Sequence, residues 1–323
     1  MRRSRAARSR PLRRALALLG LCSCVALPGP AHPRPALPLP EAYAAAFALP
    51  GEVVEEQTVP AGSTVAFAYV RGAVRAGGER ATFHLLQPTT GRPAPVVLCL
   101  PILAGGAELM WHVAANLARR GFAAMWADRC GPALTAGQRS ADLNELFTRT
   151  LIQNRMLLAW ARRQPHRFLP DQRALLGIST GGILGAILLA LEPDVRAGAL
   201  CLAGSDLPDL LLESTETRIV AWRDSRRRRD GVAGTFLRAE LARDLLADPA
   251  HLAPFVATER VLLVQARLDD VVPVRNQDLL WEGLGRPRRL QLPLLGHYPA
   301  ALALDAILDE ISVFVRARLR AGR

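Results

Sequence analysis

The sequence predicts an α/β protein built on a doubly wound, mostly parallel sheet with a small helical cap. Three observations carry that expectation. From about residue 95 onward, short apolar runs alternate with longer segments of helical periodicity. The runs are continuous and lack polar alternation, as strands covered on both faces require. Half of the 323 residues are hydrophobic while aromatics make up only 5%, so one large, mainly aliphatic core is expected.

Taken in order, strand-like pieces at 64–69 and 81–86 precede the first buried run at 95–100. A helix at 108–120 stops at Gly121, a glycine suited to a C-cap. A second buried run at 122–126 leads to a long amphipathic helix at 141–163. Strand 173–178, helix 180–191 and strand 197–203 follow. Strand 261–266, helix 274–284, strand 290–294 and helix 300–320 end the pattern. One interval breaks the rhythm, because some fifty residues separate Asp206 from Arg260 where a βαβ crossover needs far fewer. Helical pieces at 215–222 and 235–246 identify this stretch, about 207–259, as a cap inserted over the strand ends.

The net charge of +12 invites a nucleic-acid reading until it is located. The chain has no lysine, and seven of its arginines (Arg2, Arg3, Arg5, Arg8, Arg10, Arg13, Arg14) fall in the acid-free first fourteen residues. Elsewhere 34 arginines face 29 acids. The run Arg226 to Arg229, flanked by Asp224 and Asp230, has no interleaved aromatics for base stacking and reads as a solvated helix face or loop. No nucleic-acid partner is expected. The arginine-rich start runs into an apolar stretch at 15–27 that is too short to span a bilayer, and then into proline-rich sequence. Residues 1–27 therefore read as an export signal and 28–50 as a linker, ahead of a single α/β domain at 51–323. The protein is expected outside the cytoplasm: secreted, periplasmic or lipid-anchored. Leu21-Cys22-Ser23-Cys24 resembles a bacterial lipobox, which would leave a lipid tether on Cys24. Cys99, Cys130 and Cys201 lie in or beside predicted strands and read as buried thiols. No cysteine–histidine cluster implies a metal, and no cofactor is expected.

Gly177-Ile178-Ser179-Thr180-Gly181-Gly182 fits G-x-S-x-G, directly after an apolar strand and at the start of an apolar helix. A strand-to-helix bend that tight exposes the serine hydroxyl and tolerates only glycine beside it. The helix N-terminus offers amides to a developing oxyanion. Two histidines follow Ser179. His251 lies in the cap stretch and reads as a surface or helix-end residue, whereas His297 sits in a glycine-containing loop after the last strand, where open α/β sheets build sites. The acid is expected after strand 261–266, where Asp269 and Asp270 are adjacent candidates and Asp206 is a more distant one.

These segments resemble the α/β-hydrolase superfamily over residues 80–315, in particular its esterase and dienelactone-hydrolase-like branches, in which D-x-V-V-P and G-H-Y segments recur. Matching D-x-V-V-P onto Asp269 to Pro273 places the acid at Asp269, so the resemblance implies a Ser179–Asp269–His297 triad. Relatives often carry H-G after the third strand. Here that position reads Pro101-Ile102-Leu103, which implies an oxyanion hole made of backbone amides, Leu103 or its neighbour Ile102 with Thr180. The apolar side chains there imply a small-molecule ester substrate with an apolar acyl group. A prolyl-type peptidase or thioesterase, and a catalytically silent binding protein on the same fold, are the alternatives.

Overall fold

The computed structural model describes residues 24–30, 32–103, 106–231 and 234–321. Their strands are β1 (Val25–Leu27), β2 (Val54–Ser63), β3 (Phe67–Ala76), β4 (Glu79–Pro88), β5 (Ala94–Leu100), β6 (Ala123–Ala127), β7 (Phe168–Ile178), β8 (Val195–Cys201), β9 (Val261–Ala266) and β10 (Arg288–Leu292). They form one sheet in the order β1-β10-β9-β8-β7-β5-β6-β4-β3-β2. The stretch from β10 to β6 is parallel, with an antiparallel β1 on one edge and an antiparallel wing of β4, β3 and β2 on the other. The expected mostly parallel sheet with flanking helices is what forms.

The helices are α1 (Glu41–Ala46), α2 (Ala107–Arg119), α3 (Ser140–Arg162), α4 (Thr180–Leu191), α5 (Leu207–Glu213), α6 (Thr217–Asp230), α7 (Gly234–Asp244), α8 (Pro249–Leu252), α9 (Val274–Gly283) and α10 (Leu304–Ala321). The two-residue strand period sends Val96, Leu98 and Leu100 of β5 into one core and Val97 and Cys99 into the other, on the opposite face. Helix α4 is buried at every position after Thr180, in keeping with its unbroken apolar sequence. Each such leucine removed from water contributes on the order of 2 kcal/mol.

Three details depart from the sequence expectation. Strand β2 was not foreseen because its side chains are almost all exposed, and such a strand has no hydrophobic alternation to read. Helix α6 runs eight residues beyond the expected 222 and carries the arginine run. Within that run Arg226 is buried, not solvated: it bonds Asp230 at 2.6 Å and Glu240 at 2.8 Å and lies over the Trp222 ring. Arg227, Arg228 and Arg229 are exposed as expected. Within the stretch read as a linker, α1 leads to a fully buried Phe47, and Arg34 donates to the carbonyls of Gly283 (2.7 Å) and Ala253 (3.1 Å). Most of the segment read as an export signal lies outside the described residues. Its last three, Val25 to Leu27, pair with β10 as β1.

The interval between β8 and β9 folds as the expected cap, from α5 through α8 and two short 3₁₀ turns. It is tied down at defined points. The Trp222 indole donates to the Gln138 carbonyl at 2.9 Å, Ser140 donates to Glu240 at 2.9 Å, and buried Asp248 accepts from Leu207 N–H at 2.7 Å.

Candidate active site

The site grows from a bend that only this local sequence permits. Ser179 takes φ 55° and ψ −121° between β7 and α4, a conformation that costs a non-glycine residue on the order of 1–3 kcal/mol. The bend is held because Ser179 N–H donates to the Cys201 carbonyl on β8 at 2.8 Å. The flanking glycines have no substitute. A Cβ on Gly177 would sit 2.2 Å from the Gly181 carbonyl oxygen, and one on Gly181 would sit 2.1 Å from that of Leu100.

Because β7, β9 and β10 are parallel, the loops that leave their carboxyl ends converge. They bring together three residues far apart in sequence. His297 Nε2 lies 3.0 Å from Ser179 Oγ, and His297 Nδ1 lies 2.8 Å from Asp269 Oδ2. A carboxylate can only accept, so Nδ1 carries the proton and Nε2 is left to accept from the serine hydroxyl. The Asp269 side chain is fully buried and the His297 ring nearly so.

Of the two adjacent carboxylates, the geometry takes Asp269. Its Oδ1 accepts from the amides of Val271 (3.0 Å) and Val272 (2.9 Å), and its Oδ2 accepts from Gln277 Nε2 at 3.0 Å as well as from His297. Asp270 is exposed, and its backbone carbonyl accepts from Thr215 N–H at 3.1 Å. It does not cap α9, whose first turn has no side-chain cap. Asp206 caps α5 instead, accepting from Asp209 N–H at 3.3 Å, and His251 is an exposed residue of α8. Gln277, one turn into α9, was missed by sequence reasoning. A buried glutamine eight residues beyond the acid has no motif that separates it from a surface one.

Ser179 and His297 open onto a cavity of about 190 Å³ lined mainly by aliphatic side chains, among them Ile102, Leu103, Ile183, Ile219, Leu304 and Ile311. That exceeds the roughly 150 Å³ apolar cavity known to take up a benzene ring. Leu103 and Thr180 are among the residues that line it. Leu202, also on its wall, holds a left-handed φ of 53° that no local motif predicts. Besides Ser179, Thr180 and His297, its polar residues are Glu216 and Tyr298. Burial raises the Tyr298 phenol pKa, and the negative charges of Glu216, Asp269 and Asp270 add to that, so the phenol stays protonated and able to donate. Cys99 and Cys201 are fully buried thiols, both pushed up to about 12 by burial, and neither is a thiolate nucleophile. Among the described residues no cluster could hold a metal ion.

Solved structures with the same architecture are numerous. An acetyl xylan esterase from Paenibacillus sp. R4 superposes with a TM-score of 0.64 at 14% identity, covering 84% of this chain and 91% of that one. Acetyl xylan esterase 1 from Thermoanaerobacterium sp. JW/SL YS485 gives 0.57 at 17% identity, covering 83% and 92%. This chain has the α/β-hydrolase fold. A cold-adapted esterase from an Arctic intertidal metagenomic library matches the same fold at TM-score 0.54 and 16% identity, covering 78% of this chain and 95% of that one. No family model matches the chain. Among curated proteins it resembles the uncharacterized protein YdjC of Bacillus subtilis (strain 168), 31% identical over 74 residues. That match takes in 23% of this chain and 63% of YdjC, less than two thirds of the relative's length.

Proposed function

We propose that this protein is a serine hydrolase that cleaves carboxylic esters with apolar acyl groups. One observation carries the reading: His297 links the bend-held Ser179 to the buried Asp269 at the mouth of an aliphatic cavity. In that arrangement His297 Nε2 takes the hydroxyl proton as Ser179 Oγ attacks the ester carbonyl. Asp269 fixes the imidazole tautomer and stabilises the imidazolium that forms. The tetrahedral oxyanion is held by the amides of Leu103 and Thr180. His297 then protonates the departing alcohol, and water attacks the acyl-enzyme by the same proton path in reverse. The esterase names of similarly folded structures support the reading at the level of the reaction class.

The test uses a series of p-nitrophenyl esters of increasing acyl length beside peptide and thioester substrates, with fluorophosphonate labelling. Ester turnover should dominate. Ser179→Ala should fold normally and lose labelling together with turnover, by roughly 10⁴-fold or more. Labelling that survives the substitution refutes the nucleophile, and wild-type protein that neither labels nor turns over is a silent binding protein on this fold.

Export belongs to the same reading. The arginine-rich start and apolar run through residue 27 support removal of the leading segment, with Cys24 as the residue that would carry a lipid. Intact mass of protein from its native host should lack the first two dozen residues, and an added diacylglycerol would mark the lipid-anchored form. A mass that includes Met1 to Cys24 refutes processing.

A further inference from the structure

From the topology and the exposed side chains at the cavity mouth, we propose that this face of the molecule docks onto a lipid surface, so that the active site opens toward the membrane interface. The first observation is a direction. Strand β1 is antiparallel to β10, with Val25 opposite Gln291 and Leu27 opposite Arg289. Cys24 therefore lies beside the carboxyl end of β10, the same end of the sheet from which the Ser179, Asp269 and His297 loops depart. Residues 1–23, with seven arginines and most of the apolar run, lead into the fold at that end. The chain enters there whether the segment is retained or is cut to leave a lipid at Cys24.

The second observation is a patch. Leu268 (62%), Leu294 (60%), Tyr298 (66%) and Leu302 (82%) are among the few large apolar side chains the described protein leaves exposed. They are neighbours in the fold. Leu268 N–H donates to the Leu295 carbonyl at 3.0 Å, next to Leu294, and Tyr298 is the N-cap of the 3₁₀ turn Pro299–Ala303 that carries Leu302. Tyr298 itself borders the cavity. An apolar rim around an apolar cavity, at the end where an arginine-rich, apolar segment enters, matches a surface that rests in the headgroup region, with cationic residues toward anionic lipid. Exposed Asp270 on the same rim limits the depth to the headgroups.

Hydrogen exchange of the full-length Ser179→Ala protein, free and on phosphatidylcholine vesicles containing phosphatidylglycerol, tests this without requiring turnover. It therefore stands or falls apart from the ester reading. Exchange should slow at least about fivefold over residues 294–303 on vesicles. The turn around Val65, fully exposed at the opposite end of the sheet, should exchange as in free protein. The Leu294→Ser/Leu302→Ser double variant should lose the rim protection, while in the Ser179 background it hydrolyses dissolved short-chain esters within about twofold of the parent. No vesicle binding, protection confined to the N-terminal segment, or protection unchanged in the double variant would each overturn the proposal.

Discussion

Among the described residues are two hydrogen-bonded chains of hydroxyl, imidazole and carboxylate. One is Ser179–His297–Asp269, with steps of 3.0 and 2.8 Å. The other is Tyr69–His84–Asp128 on the antiparallel wing, with steps of 2.7 and 2.8 Å. By distance alone they are equivalent. Their surroundings separate them. Ser179 stands on a strained bend at a helix N-terminus and faces a cavity, while Tyr69 lies within a regular strand. His84 is stacked nearly parallel between Tyr69 (6°) and Trp126 (13°), which leaves its ring no freedom to deliver a proton elsewhere. Asp269 is fully buried on its loop, whereas Asp128 is close to half exposed and shares its charge with Thr82. The proposed reactivity of Ser179 rests on the bend, the cavity and the buried acid, and the three-atom geometry is the part that recurs without them.

The largest expected effect that sharpens this contrast is at the acid. Asp269→Asn should lower kcat by roughly 10³- to 10⁴-fold with the fold intact, because an amide cannot hold the required tautomer. Asp270→Asn should cost less than about tenfold. The two variants compared at matched folded fraction decide it, and the reverse order would move the acid to Asp270.

A smaller effect is expected one step behind the acid. Gln277 donates both to Asp269 Oδ2 and to the Val272 carbonyl at 2.9 Å. Gln277→Leu should lower kcat about tenfold with KM unchanged, because it frees the carboxylate to rotate. It should also destabilise the loop by on the order of 1–3 kcal/mol through the unsatisfied carbonyl. A change in KM alone would make Gln277 a structural residue only.

The smallest effect tests the other chain. Burial pushes the Asp128 carboxyl pKa up, but hydrogen bonds from Thr82 and His84 outweigh it and hold the group below the ordinary carboxylate range. A lowered folded-state pKa means the carboxylate stabilises the protein above the unfolded value of about 3.9, and that contribution is lost as pH falls through the folded value. Asp128→Asn should therefore cost about 1 kcal/mol or less at pH 7, given its exposure, with the difference from wild type lost in strong acid, below the lowered folded-state value. Ester turnover should stay within about twofold. Denaturant unfolding at pH 7 and in strong acid checks the first claim, and a large loss of activity would break the distinction between the two chains.

How much of this was legible in advance follows from the range of each interaction. The parallel strands, α4 and the Gly177-to-Gly182 bend could be read because a continuous apolar run, a helical period and a steric demand for glycine are all local. His297 could be read because chain order and a strand-end loop narrow the choice to one residue. Asp269 was separable from Asp270 only through resemblance to a known pattern, since both follow the same strand. The fold separates them physically, by turning one carboxylate onto two backbone amides and Gln277 and leaving the other in solvent.

The rest required tertiary structure. Arg226 sits in an arginine run that looks uniformly solvated, yet α7 brings Glu240 to it and turns one of four similar residues inward. Gln277, the left-handed Leu202 and exposed β2 carry no periodic signal, because their roles are set by partners distant in the chain. The sequence by itself determined the layers, the bend at Ser179 and the choice of His297 as candidate base, since those depend on hydrophobic period, chain order and local sterics. Only the packed sheet decided which carboxylate is buried, which arginine is paired and which end of the molecule receives the N-terminal segment. Burial and pairing are properties of surroundings, and these are assembled from residues tens to hundreds of positions apart.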